Sequence, residues 1–475
     1  MTTHAQIGSS PLTAAKLRNP PRLAGGLPVF GHTGAFINDT VGLLQRTHDE
    51  CGAVGKFKLF GKDVVLFTGP EAHEALFRQP DEVLSPNAAY KMMVPVFGRG
   101  VAYGAQPAKM AEQMHMLYPA LRNNRMRTYT EIVARETLDT IASWGEEGEV
   151  EASAFFAMLT NYTSSSCLLG KEFRTEMSEE FSKVYYDLER GIVAWGYIHP
   201  YLPIPAFRRR DRARARLGEM VSEIVEARKQ SGYRGEDFLQ TLIDAEYKDG
   251  SKLTDHEVTG MLVAAMFAGH HTSSVTTAWT LIELLRHPQF LDGVHDEIRA
   301  RYAEEEAYTF QSLRDLEKTE RAVKEALRIH PPLFILLRAA LKNCQILGYQ
   351  VKKGDWVAVS PLVAHRDESV FSNALQFDPD RYGPGREEDR RPFAYISFGG
   401  GRHKCMGNAF AVLQIKTIMA VLLHRYDFQL VGDTIETDFQ GLVLGPKPPI
   451  RVRYRRRARG RPLHDAKEHP ASGGD

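Results

Sequence analysis

The sequence predicts a mainly α fold with a small β region. Residues from about 108 to 330 follow a mostly helical spacing of apolar positions. Strand-like runs are confined to two short regions toward the ends of the chain, 52–68 and 338–360. Over 475 residues the hydrophobic share is 43% and the charged share 25%, the balance of a soluble globular chain able to bury a large core. The two sheet regions bracket the helices, so one interwoven domain is expected over 36–455. An extended, partly mobile lead-in at 1–35 precedes it, and a disordered polar tail at 456–475 follows.

The lead-in is rich in Ala, Pro and Gly, with Pro20-Pro21 and Gly25-Gly26 as breakers. Phe57, Leu59 and Val64 to Phe67 fit a hairpin that turns at Gly61 and Lys62. The strongest helix signal runs from Thr254 to about His287. Thr254 and Glu257 form a T-x-x-E capping box, and Pro288 stops the helix. Its middle, AGHHTSS at 268–274, reads as a polar, glycine-containing break in an apolar helix. Gly costs about 1 kcal/mol relative to Ala in a helix, and buried polar groups cost more unless paired. Such a segment points to function. The later strand region turns at 352–354, irregular chain covers 378–392, and a last helix runs from near Gly407 to about His424.

Net charge is +1, from 60 Lys and Arg against 59 Asp and Glu, so nothing marks nucleic acid as the partner. Basic residues gather at 208–216 and 451–461, where a solvated surface or tail is the plain reading. Four cysteines, Cys51, Cys167, Cys344 and Cys405, are too scattered for a disulfide framework, and no C-x-x-C pair suggests zinc or an iron–sulfur cluster. A reducing cytoplasm fits best. No secretory signal is evident, and the longest apolar stretch, 261–268, is far too short for a transmembrane anchor.

The segment richest in chemistry is FGGGRHKCMG at 398–407. Its glycines allow a tight, backbone-rich loop. Cys405 sits among Arg402, His403 and Lys404, just before an apolar helix, a setting that stabilises a thiolate. A thiolate in such a loop is a good axial ligand for heme iron. Glu325 and Arg328 lie three residues apart, on one helix face, and Arg381 of the string FDPDRY could add a second cation.

These strings resemble the motifs of the cytochrome P-450 family, in its order and at its spacing. Phe398, Gly401, His403, Cys405 and Gly407 fall on the fixed positions of the heme-ligand signature. EALR at 325–328 matches the Glu-x-x-Arg pair, FDPDRY at 377–382 the segment that completes it, and AGHHT at 268–272 the oxygen-binding helix motif. The resemblance covers roughly residues 20–455 and implies the cytochrome P-450 fold. It also implies a heme b cofactor with Cys405 as the ligand to the iron, and a heme-thiolate monooxygenase activity. Within the family it implies heme contacts from Lys404, Arg338, Tyr90, Tyr103 and Gly269, and a structural triad of Glu325, Arg328 and Arg381. A separate ferredoxin or flavodoxin is implied as electron donor, since no fused flavin or nucleotide fingerprint is present.

His271 before Thr272, and His403 two residues before the cysteine, resemble sterol 14α-demethylases, as does the segment from Tyr90 to Tyr103. LERG at 188–191 and HPYLPI at 199–204 look like bacterial members. The implied reaction is oxidative removal of a sterol methyl group as formate. The implied substrate wall is Tyr90, Met92, Met93, Phe97, Phe267 and Ala268. The implied proton path runs from Glu189 through His271 to Thr272. Gly104, Met114 and Met92 depart from the subfamily pattern and bear on the exact substrate. Two alternatives stand beside this reading: a hydroxylase of another polycyclic terpenoid or lipid, and a non-catalytic heme- or ligand-binding protein.

Overall fold

The structure is a computed structural model that describes residues 17–121, 123–170, 178–193, 196, 199–235, 237–302, 307–432, 434–439 and 443–457. The start of the expected lead-in and all but the first two residues of the expected tail lie outside the described residues. From Arg18 on, the lead-in is tied down rather than free: Lys56 N–H donates to Pro21 O at 2.7 Å, and Leu23 N–H to Lys56 O at 2.8 Å. Helix α1 (Thr40–Cys51) is capped by the Asp39 carboxylate, which accepts from Gly42 N–H at 2.8 Å. Strands β1 (Val54–Leu59) and β2 (Lys62–Phe67) form the expected antiparallel hairpin around Gly61, whose φ of +77° suits glycine.

Helix α2 (Pro70–Phe77) and the short strand β3 (Leu84–Ser85) lead into an irregular, largely buried segment around residues 90–105. Helices α3 (Pro107–Leu117) and α4 (Asn123–Ile141) follow. Strand β4 (Glu147–Glu151) then interrupts the stretch expected to be helical. Its alternating Glu, Gly and Val gave no strong strand signal, and tertiary pairing overrides weak propensity. Helices α5 (Ala152–Ser164), α6 (Ser178–Glu189), α7 (Pro205–Ser231) and α8 (Asp255–Arg286) come next.

The capping box of α8 forms as expected: Thr254 Oγ1 accepts from Glu257 N–H, and Glu257 Oε2 accepts from Thr254 N–H at 2.8 Å. With 32 residues the helix is about 48 Å long. The polar segment 268–274 sits inside this one helix, as expected. Within it the Thr272 hydroxyl, and after it those of Thr276, Thr277 and Thr280, are satisfied by carbonyls one turn back at 2.6–2.7 Å. Helix α8 packs against α5 and α7, and against two later helices, α10 (Glu317–Ile329) and α11 (Asn408–Arg425). Helix α9 (Pro288–Arg301) covers its end.

Strands β5 (Leu336–Ala340), β6 (Cys344–Ile346), β7 (Tyr349–Val351) and β8 (Trp356–Val359) occupy the second expected strand region. Strand β8 inserts beside β2, giving the sheet order β1-β2-β8-β5-β3, with only β2–β8 parallel. The two ends of the chain thus share one sheet. Strands β9 (Tyr426–Val431) and β10 (Arg451–Arg456) pair with each other, and β10 also pairs with β4. The basic run 451–461 therefore begins as a strand, not a tail: Val452 is fully buried, while Arg451 and Arg453 face Glu149. Arg457 still pairs with Asp427 at 2.6 Å.

Candidate functional site

The glycine-rich loop precedes α11 and closes on itself where Cys405 N–H donates to Phe398 O at 2.8 Å. Gly401 has φ +62°, and a Cβ there would collide with the Phe77 carbonyl, so the loop lies flat on the end of α2 only as glycine. His403 Nε2 lies 2.8 Å from Asp81 Oδ1, which anchors the loop to the approach to β3. Cys405 is the one exposed cysteine of the four; Cys167 is fully buried. Although its surface is accessible, protein hems Cys405 in. That burial pushes its thiol up, against the Gly407 amide and the Lys404 charge, which pull it down.

Within electrostatic reach of Cys405 stands a cluster of aromatic rings that includes Tyr103. Tyr90 and Tyr103 are 5.2 Å apart between centroids, Tyr103 and Phe97 6.2 Å, and Phe97 and Phe267 of α8 6.2 Å. Tyr90 Oη accepts from Leu337 N–H at 3.0 Å. Burial first, then Tyr90, pushes the Tyr103 hydroxyl up to about 12; Arg338 opposes this and Cys405 adds to it. Tyr90, Arg338 and Cys405 are therefore all within electrostatic reach of Tyr103. Arg338 donates to Leu337 O at 2.9 Å and meets no carboxylate among the described residues. Along α8, Ala264, Ala265, Phe267 and Thr272 are half-buried and Ala268 is exposed, between fully buried stretches on either side. A core helix that bares alanine borders a hollow.

The residues around this hollow fit a heme. A thiol, aromatic rings, small residues on α8 and an arginine that meets no carboxylate among the described residues match a flat, apolar ring that carries carboxylates. The expected contacts fall unevenly. Met92, Met93 and Phe97 are buried, and Met92 lies beneath Gly196, toward the connection between α6 and α7. A Cβ on Gly269 would make only ordinary contacts with protein atoms, the nearest to Leu168 at 3.5 Å. Thr272 Oγ1 donates to Ala268 O at 2.6 Å. Met114 is half-buried and His115 is exposed against Tyr118.

Two adjacent histidines on α8 divide their roles. His271 is half-buried, and its Nε2 lies 2.6 Å from Glu189 Oε1 at the end of α6. That oxygen makes no aligned hydrogen bond, so the two groups are close without a well-directed bond. His270 faces inward, with Nδ1 3.2 Å from Thr160 Oγ1. Burial first, then the charge of His271, pulls His270 down to about 3. The structure thus brings Glu189 to His271, as the resemblance implied, and leaves His270 as a neutral core residue.

The remaining group lies wholly inside the protein. Glu325, Arg328 and Arg381 are all 0% exposed. Arg328 Nε and Nη2 donate to the two Glu325 oxygens at 2.8 Å each, and Arg381 Nε donates to Oε1 at 2.9 Å. Tyr382 Oη adds a bond to Glu325 Oε2 at 2.8 Å, and Glu388 takes the far side of Arg381 at 2.6 Å. The sequence reading missed Asp81, Tyr382 and Glu388. Tyr382 closes the FDPDRY string and was available as a donor. Asp81 is 322 residues from His403, and no local pattern connects them.

Comparison with known proteins adds four findings. A family model described as "Cytochrome P450" matches residues 20–453. The sterol 14alpha-demethylase of Mycolicibacterium vanbaalenii is 42% identical over 455 residues, which is 94% of this chain and 100% of that protein. The sterol 14-demethylase of Arabidopsis thaliana is 38% identical over 450 residues, 93% of this chain and 92% of that one. Among solved structures, retinoic acid-bound cyanobacterial CYP120A1 superposes with a TM-score of 0.81 at 24% identity, over 93% of this chain and 99% of that one, a likeness of fold.

Proposed function

The chain belongs to the cytochrome P450 family, and from that premise we propose that it oxidatively removes the 14α-methyl group of a sterol. As a member of the family it is a heme-thiolate monooxygenase that acts on a hydrophobic substrate and draws electrons from a redox partner. The observation that carries the sterol reading is the 42% identity, over 94% of the chain, to the mycobacterial-type sterol 14alpha-demethylase.

In this reading Cys405 Sγ holds the iron of a heme b, with Arg338 toward a heme carboxylate and Tyr90 and Tyr103 along the ring. When bound, the heme supplies dioxygen activation and oxidation of a substrate C–H bond. The protein supplies shape and protons. Phe97, Tyr103 and Phe267 exclude water from the hollow and hold a rigid polycyclic substrate. Met92 and Met93 give part of the wall an adaptable surface. Glu189 holds His271 toward the gap between α6 and α8, where solvent can recharge the pair. Thr272, one residue on, turns its hydroxyl from Ala268 O and passes that proton into the hollow while its oxygen accepts one from the relay. Arg402 and Lys404 are exposed on the cysteine loop and suit an acidic ferredoxin or flavodoxin.

The test is a spectral titration of the heme-loaded protein with 14α-methyl sterols, other polycyclic terpenoids and fatty acids. Sterols should drive the low-spin to high-spin shift at the lowest concentrations. A shift with terpenoids and none with sterols would replace the sterol reading by a terpenoid hydroxylase.

A further inference from the structure

The arginine run at 208–216 does not form one solvated face. Arg210 is 1% exposed, donates to Pro200 O at 3.0 Å and covers the Phe207 ring. Arg216 is ion-paired to Glu180, Glu219 and Glu223. Arg214 differs from both. Among the described residues no carboxylate pairs with it, and its buried Nε has no partner. Burial alone pulls it down to about 10. A hemmed-in cation without a counter-ion is costly, so the contacts it does make merit a functional account.

Those contacts converge on one peptide segment. Arg214 Nη2 donates to Phe97 O at 3.1 Å and to His256 O at 3.3 Å. His256, the second residue of α8, places Nε2 3.1 Å from Arg99 O. The carbonyls on either side of Gly98 are therefore gripped by two side chains from two helices, α7 and α8. Gly98 itself has φ +110°, and a Cβ there would stand 2.6 Å from His256 Nε2 and 3.3 Å from Arg214 Nη2. The segment is pressed flat onto this pair. Its Phe97 ring faces both Tyr103 and Phe267.

We propose that Arg214 and His256 form a latch that holds segment 97–99 closed over the substrate hollow, with Arg214 a positioning residue for Phe97 and for ligand passage. The inference rests on the hollow being the substrate site. The latch is weak by construction. Opening breaks guanidinium–carbonyl bonds, but it also returns an uncompensated cation to water, and that hydration offsets much of the loss. A rigid polycyclic ligand needs the segment to lift, whereas a ligand of a few atoms does not.

The experiment is stopped-flow binding to the heme-loaded enzyme. The probes are a long-tailed azole such as ketoconazole, a 14α-methyl sterol and imidazole. Arg214→Met should speed association and dissociation of the azole about tenfold each, and leave imidazole rates within about twofold. With the sterol it should raise KM more than it changes kcat. Arg214→Lys should recover part of the effect. His256→Ala should reproduce it from the other side of Gly98, and it serves as the test should Arg214→Met fail to load heme. In the double variant little should be added, since each half of the latch needs the other. Unchanged azole rates, or equal acceleration of azole and imidazole, would overturn the latch. Because the azole binds whatever the natural substrate is, failure of the sterol to bind the wild type would count against the sterol reading and not against the latch.

Discussion

Replacing Glu325 by Gln should destabilise the heme-loaded protein by about 3–4 kcal/mol, near the lower end of the cost of removing one partner of a buried ion pair. The magnitude follows from the donors around the carboxylate. Oε2 accepts from Arg328 Nε and Tyr382 Oη, each at 2.8 Å. Oε1 accepts from Arg328 Nη2 at 2.8 Å, Arg381 Nε at 2.9 Å and Asp378 N–H at 3.0 Å. In the amide, one of these oxygens becomes a donor and faces at least two donors. The arginines stay buried and charged. The loss stays toward the lower end because Arg381 keeps Glu388 at 2.6 Å. Glu388→Gln is the control: it is partly exposed and leaves Arg381 its bond to Glu325, so about 1–2 kcal/mol is expected. Denaturant unfolding followed by the Soret band and far-ultraviolet circular dichroism reads both. A loss below about 1 kcal/mol in Glu325→Gln would refute the reasoning, since that is the worth of a surface pair.

His271→Ala and Glu189→Ala should each slow turnover while heme loading and substrate binding survive, and the double variant should cost little more, because the pair acts as a unit. Turnover and peroxide release in the three variants check this. Cys405→Ser should lose the red-shifted Soret band of the reduced, carbon monoxide-bound protein, whereas changes at Cys51, Cys167 and Cys344 should leave it. Stability should fall as pH drops from 7 to 5, because burial holds His73 at about 4 and His270, His295 and His365 at about 3. Their folded values lie below the unfolded value of about 6.5. Below that pH the unfolded chain therefore takes up protons that the folded one refuses, and stability is lost toward the folded values. Each contributes about 2 kcal/mol between pH 7 and 5. His270→Gln should remove one such share, and denaturant midpoints independent of pH would contradict the assignment.

Much of this architecture is legible in the chain itself. The hairpin at Gly61 and the long helix behind Thr254 are written in local patterns, a turn glycine and a capping box. The cysteine loop and the Glu325–Arg328 spacing are strings whose chemistry is compact. What failed was non-local or context-dependent. The polar middle of α8 is visible as a string, but the partners of its histidines, Glu189 and Thr160, lie on other helices. Strand β4 forms because β10 pairs with it, not because GEV favours a strand. The partner of His403 and the latch on Gly98 join residues far apart in sequence, and no short window holds both halves.

The central claim is that Cys405 heme chemistry acts on a sterol methyl group. Its most direct test supplies the heme-loaded protein with dioxygen, a reduced ferredoxin or flavodoxin, and a sterol labelled in its 14α-methyl carbon. The account predicts that the label is released as formate in step with appearance of the demethylated sterol, and that Cys405→Ser abolishes both. Label retained on the sterol while dioxygen and reductant are consumed, or oxidation at another position alone, would contradict it.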